Sequence, residues 1–152
     1  MTRIRIVVAD QADAIFYDSA SLAAAPKEVG RISDPTARLH DRDLVTDRAG
    51  RSYESVGGAR HALEREADPR YQASMRFARR IARRLDEARR NEEFDELVVV
   101  AGPQFLGLLR EKFSKPTSAR VVMEVPKDLV HMTVADLRRH LPASQAERPA
   151  AH

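Results

Sequence analysis

The chain has 152 residues, of which 43% are hydrophobic and 32% charged, with a formal net charge of +3. That length can bury one sizeable core, and the balance excludes a disordered chain; the absence of cysteine excludes disulfides and thiolate metal sites. No window approaches the roughly 18 apolar residues of a membrane span, and the apolar run in the N-terminal MTRIRIVVAD is far shorter than a signal-peptide core, so a cytoplasmic protein without membrane contact is expected.

In chain order, residues 3–9 (RIRIVVA) form an apolar run closed by Asp10 and predict a first strand. Residues 14–18 (AIFYD) follow after a short connection containing Asp10 and Asp13, which suits an antiparallel hairpin. A third strand is expected within residues 25–32 (APKEVGRI). Ser33-Asp34-Pro35 then opens a long polar loop.

A helix over residues 71–90 carries Ser74, Phe77, Ala78, Ile81, Leu85 and Ala88 at core spacing, with arginines on its other faces. Residues 95–101 (DELVVVA) predict a strand buried on both sides, as in a parallel sheet. Gly102-Pro103 starts a second helix with Phe105, Leu106 and Leu109 facing inward. Residues 119–125 (ARVVMEV) predict another strand, and Thr133 caps a short helix that ends before Pro142. A hairpin followed by right-handed crossovers implies an α/β fold with a mixed five-stranded sheet, ordered 3-2-1-4-5 as in ribonuclease-H-like folds. One domain over residues 1–142 is expected, with a long Arg-rich loop at 33–70 and a flexible tail at 143–152.

Few residues offer chemistry. Asp10 stands at the end of the first strand, where a metal nuclease places its first carboxylate. The central strand ends in Ala101-Gly102-Pro103 with no acid, and two-metal hydrolysis needs several converging carboxylates. His40-Asp41-Arg42-Asp43 reads as loop ion pairing, and His61 and His131 lack the pairing of a helical zinc site. No catalytic residue, metal or cofactor is assigned. The Gly102-Pro103 helix start could bind an anion, although Pro103 removes a donor and a purely structural start explains it too.

The strongest constellation is the loop with the helix after it. Residues 38–61 hold Arg38, Arg42, Arg48, Arg51 and Arg60, with Gly57-Gly58 and His61. Between residues 70 and 90 there are eight Arg against Asp86 and Glu87, a local balance of +6. Arg forks match phosphate oxygens, so Arg76, Arg79, Arg80 and Arg83 would extend a cationic surface begun by the loop. Contact with RNA phosphates is one reading. The four acids within 38–61 allow a second, self-pairing inside the domain, and a protein partner is the third.

The string Ala37-Arg38-Leu39-His40-Asp41-Arg42-Asp43-Leu44-Val45-Thr46-Asp47-Arg48-Ala49-Gly50-Arg51-Ser52 resembles the bacterial family known as host attachment protein. So do Val100-Ala101-Gly102-Pro103-Gln104-Phe105-Leu106-Gly107 and Val125-Pro126-Lys127-Asp128-Leu129. Gly57-Gly58-Ala59-Arg60 and Arg76-Phe77-Ala78-Arg79 look like the middle domain of archaeal- and eukaryotic-type peptide-release factors. There a Gly-Gly-Gln loop precedes a helix with a similar Arg-Phe-Ala-Arg segment. Ala59 stands where that resemblance wants Gln, which puts peptidyl-tRNA hydrolysis in doubt but leaves ribosome or tRNA contact. The combined expectation is a non-enzymatic domain that touches RNA. The alternatives are a protein-interaction module in bacterial attachment and a hydrolase acting near Asp10. A third strand at the sheet edge could also pair across a homo-oligomer.

Overall fold

The computed structural model describes residues 2–35 and 68–141. Strand β1 (Ile4–Ala9) is buried along its whole length, because strands flank both its edges and helices or loops cover both its faces. β2 (Asp13–Ser19) returns antiparallel to it, in register from Ile4↔Ser19 to Ala9↔Ala14. The connecting turn is held by one carboxylate oxygen: Asp10 Oδ1 accepts from the N–H groups of Ala12 at 2.8 Å and Asp13 at 2.7 Å. β3 (Lys27–Ser33) continues the meander antiparallel to β2.

β4 (Glu96–Ala101) lies parallel to β1 on its other edge, from Ile4↔Glu96 to Ala9↔Ala101, and β5 (Val121–Val125) lies parallel to β4. The mixed five-stranded sheet therefore has the predicted order, β3-β2-β1-β4-β5. Among the described residues four helices flank it: α1 (Pro69–Arg90), α2 (Pro103–Lys112), α3 (Lys115–Ser118) and α4 (Val134–Arg139).

Strand alternation sorts the core into two layers. Val7, Ala9, Phe16, Leu97, Val99 and Ala101 face α1 and α2, meeting Phe77, Ile81, Leu85, Phe105 and Leu109. Ile4, Ile6, Val8, Ile15, Val98 and Val100 face the other way, onto Leu129, Val130, Leu137 and Leu141.

Several boundaries differ from expectation. α1 starts at Pro69, two residues early, because Asp68 caps it by accepting from Arg70 N–H at 2.9 Å and proline fits the first helical position. Its core stripe includes Ala73 and Ala82, while Ser74 is only half-buried. The strand expected over 119–125 begins at Val121, since α3, capped by Ser114, occupies the residues before it. Most of the expected loop 33–70, and the whole tail 143–152, fall outside the described residues.

Both described flanks of that loop lie at the same end of the sheet. Ser33 pairs with Asp13 beside the Asp10 turn, and Ala73 in the first turns of α1 packs on Ala12 of that turn. The β3 edge is irregular. Phe16 pairs with Gly30 and Tyr17 with Glu28, so Val29 is an extra, bulged residue, flanked by exposed Lys27, Glu28 and Arg31. A bulge and charges of this kind discourage addition of a further strand.

Candidate nucleic-acid interface

α1 is long, and only one stripe of it reaches the core. At about 100° per residue, buried Phe77, Ala78, Ile81, Leu85 and Ala88 centre on one side. Arg76, Arg79, Arg80 and Arg83 all fall within an arc of about 100° on the opposite side, and all four are exposed. Seven residues separate Arg76 from Arg83, an axial span of about 10 Å at about 1.5 Å per residue. The four arginines singled out in this helix thus form one continuous strip.

The eight arginines of α1 are in different states. Arg70 pairs with Asp68 at 3.5 Å, and Arg89 and Arg90 pair with Asp86 at 2.9 and 2.7 Å. Arg84 lies over Phe16, its Cζ 5.3 Å from the ring centroid, in a space left by Gly30; a Cβ on Gly30 would stand 2.9 Å from Arg84 Nη2. Arg80 covers Phe77 at 5.6 Å and donates from Nη1 to the Ser33 carbonyl at 3.1 Å. These cation–π contacts and the hydrogen bond hold Arg80 and Arg84 against the fold. Arg76, Arg79 and Arg83 form no ion pair or hydrogen bond with any of the described residues. Arg38, Arg42, Arg48, Arg51, Gly57, Gly58, Arg60 and His61 lie outside the described residues.

The family model described as "Protein required for attachment to host cells" matches residues 5–141. The chain belongs to this family. Comparison with the curated proteins finds no match. The matched range of this host-attachment chain contains all three sequence blocks that carried the resemblance, and the last two of them frame the carboxyl ends of β4 and β5.

That end of the sheet is acidic. Burial raises the Asp10 carboxyl above its ordinary pKa; the two turn N–H groups oppose the rise, and the charges of Asp128 and Asp13 add to it. Asp128, which the residue pattern did not single out, stands over Gly102, with its Cβ 4.0 Å from where a Cβ of Gly102 would be. An anion at the Gly102-Pro103 helix start would meet Asp10 and Asp128, so the geometry fits a structural helix start. Among the described residues no group of three or more His, Asp or Glu is arranged to hold a metal ion. None of the helices among them is long and apolar enough to cross a membrane.

Two further polar centres in this host-attachment chain are structural. Arg5 is 7% exposed; its Nε and Nη2 meet Asp18 at 2.5 and 3.1 Å, its Nη2 meets Glu93 at 3.3 Å, and its guanidinium covers Phe94. Burial alone would lower its pKa, but the bonds to Asp18 and Glu93 outweigh that and raise it. Asp86 accepts from Ser114 Oγ at 2.7 Å, Thr117 Oγ1 at 3.1 Å and both neighbouring arginines, tying the last turns of α1 to α3. Those donors, Ser114 first, hold its carboxyl down to about 2.

Proposed function

We propose that this host-attachment family member acts by binding rather than by catalysis, contacting RNA in the cytoplasm, on the ribosome or on tRNA, through the outward strip of α1. The observation that carries this reading is the position of Arg76, Arg79, Arg80 and Arg83 on one exposed arc opposite the core, three of them without a partner among the described residues. Guanidinium groups in that state give up little on engaging phosphates, because no ion pair with the described residues has to be broken first.

The likeness to the release-factor middle domain supports the same reading. In Arg76-Phe77-Ala78-Arg79 the two inner residues are buried and the two arginines exposed, so the segment combines anchoring with presentation. Ala59 in place of Gln argues for contact without peptidyl-tRNA hydrolysis. On this reading, the effect on attachment that gives the family its name would be exerted through translation.

The test is sedimentation of the tagged full chain through a ribosome gradient, with and without RNase. Co-migration with ribosomal or tRNA fractions at about 50 mM salt, lost on RNase treatment and at raised salt, is the expected result. Absence from every RNA-containing fraction at low salt would refute the proposal. Co-migration that survives RNase would instead favour the protein-interaction module.

A further inference from the structure

Resting on that reading, we propose that α1 takes single-stranded RNA, with Arg80 and Arg84 as platforms for two unpaired bases and Arg76, Arg79 and Arg83 as ligands of the phosphates. A guanidinium plane is a stacking surface for a base, and unpaired bases are the ones a protein can reach in that way. Five exposed arginines lie between residues 76 and 84, and they are of two kinds. Arg80 is seated, with its Cζ 5.6 Å from the Phe77 ring centroid and its Nη1 bonded to the Ser33 carbonyl at 3.1 Å. Arg84 is seated too, its Cζ 5.3 Å from the Phe16 centroid in the notch at Gly30. Neither meets a carboxylate among the described residues, so each keeps its full charge. A side chain held in this way has already given up rotamer freedom, and a base landing on it costs little further ordering. Arg76, Arg79 and Arg83 are not held and can follow a phosphate.

The arrangement of the two kinds leads to the same conclusion. Arg84 follows Arg80 by one turn, about 6 Å along the axis and about 40° around it. Arg79 and Arg83 repeat that step, set about 100° away from the first pair. Two rows of equal pitch therefore run side by side, the seated guanidiniums towards β2 and β3 and the free ones away from them. An extended strand presents the same two rows, bases along one side and phosphates along the other. Gly30 adds a separate sign. Glycine weakens the interior of a strand and marks a close approach, and here the group that approaches is Arg84 Nη2, 2.9 Å from where a Cβ would stand. The side chain given up on β3 leaves the place in which Arg84 is seated.

The experiment titrates the full chain against oligo(A), an abasic sugar-phosphate oligomer of the same length, and a mixed-sequence RNA duplex. Fluorescence anisotropy is read at several salt concentrations. Oligo(A) bound at least about tenfold more tightly than the abasic oligomer or the duplex is expected, from two stacked bases. Gly30→Ala removes no charge; by pushing Arg84 off Phe16 it should weaken oligo(A) about fivefold at an unchanged salt slope and leave the abasic oligomer unaffected. Arg80→Lys and Arg84→Lys keep the charge without the plane and should act in the same way. Arg76→Gln, Arg79→Gln and Arg83→Gln should instead shallow the slope of log K against log salt by about 0.7 each, on both oligomers. Unchanged far-ultraviolet circular dichroism in all six variants excludes misfolding as the cause. Abasic oligomer or duplex bound as tightly as oligo(A), or Gly30→Ala and the lysine variants without effect on oligo(A), would overturn the inference while leaving RNA contact intact. No binding to any of the three probes would overturn this inference and, if the gradient also shows no RNA association, the reading it rests on.

Discussion

Asp86 offers a stability test that is independent of the arginine strip. Its carboxylate collects four donors where the end of α1 meets α3, and they depress its pKa from 3.8 to about 2. At about 1.4 kcal/mol per unit, that shift sets a ceiling of about 2.5 kcal/mol on the stability it supplies. Its side chain is 20% exposed and that of Arg90 is 60% exposed, so solvent screening brings the expected contribution to about 1–1.5 kcal/mol. Because the folded-state pKa is the lower one, the contribution is complete above about 4 and is lost as pH falls towards 2. Asp86→Asn preserves shape and removes the charge. Urea unfolding at pH 7 should show the variant less stable by about 1–1.5 kcal/mol, and the gap should close as pH approaches 2. A gap of the same size at pH 7 and near pH 2, or no gap at pH 7, would refute the account.

Arg5→Met keeps the buried stem but leaves Asp18 and Glu93 without their cation. Both carboxylates are partly exposed, so a loss of about 2 kcal/mol in urea unfolding is expected, below the usual cost of orphaning a fully buried charge. Gly30→Ala should be near neutral in the parent, because a new Cβ pushes only the flexible end of Arg84 off Phe16. In an Arg84→Ala background the same change should stabilise by about 0.4–1 kcal/mol, and equal effects in both backgrounds would show that the two residues do not share the space. Phe77→Ala should cost about 3–5 kcal/mol by thermal or urea unfolding, since the ring is fully buried beside Phe105, whereas Arg76→Ala and Arg79→Ala should stay within about 0.5 kcal/mol.

The strand order was readable because each strand carries its own pattern. β1 and β4 are apolar apart from Arg5 and Glu96, as strands covered on both faces require, and the long spacing between β4 and β5 forces a crossover. The early start of α1 was also written in the chain, as Asp68-Pro69, a cap followed by the residue best suited to the first turn. α3 is only four residues long and carries no periodicity; its one sign is Ser114 followed by Pro116. The positive balance of α1 could be counted from composition. Which arginines are unpartnered could be read only in part. Asp86 lies three and four residues before Arg89 and Arg90, so those pairs follow from helical spacing. The covering of Phe16 by Arg84 depends on Gly30 sitting opposite Phe16 across two strands, a register that no local pattern contains. Arg5 was hidden for a similar reason, since its burial comes from Asp18 on β2 and from Glu93 and Phe94 just before β4, two segments apart from its own strand.

The two faces of the sheet are unequally roofed. One lies under the 22-residue α1 together with α2, while the other, among the described residues, is sealed by Leu22, the stretch 126–132 and the six-residue α4. A lid that short has few bonds to break, so amide exchange should be fastest there, and Leu137 and Leu141 would be the first side chains to let solvent reach Ile6 and Val8. Opening on that side would leave α1 seated on the opposite face, so the molecule can breathe there without unseating its longest helix.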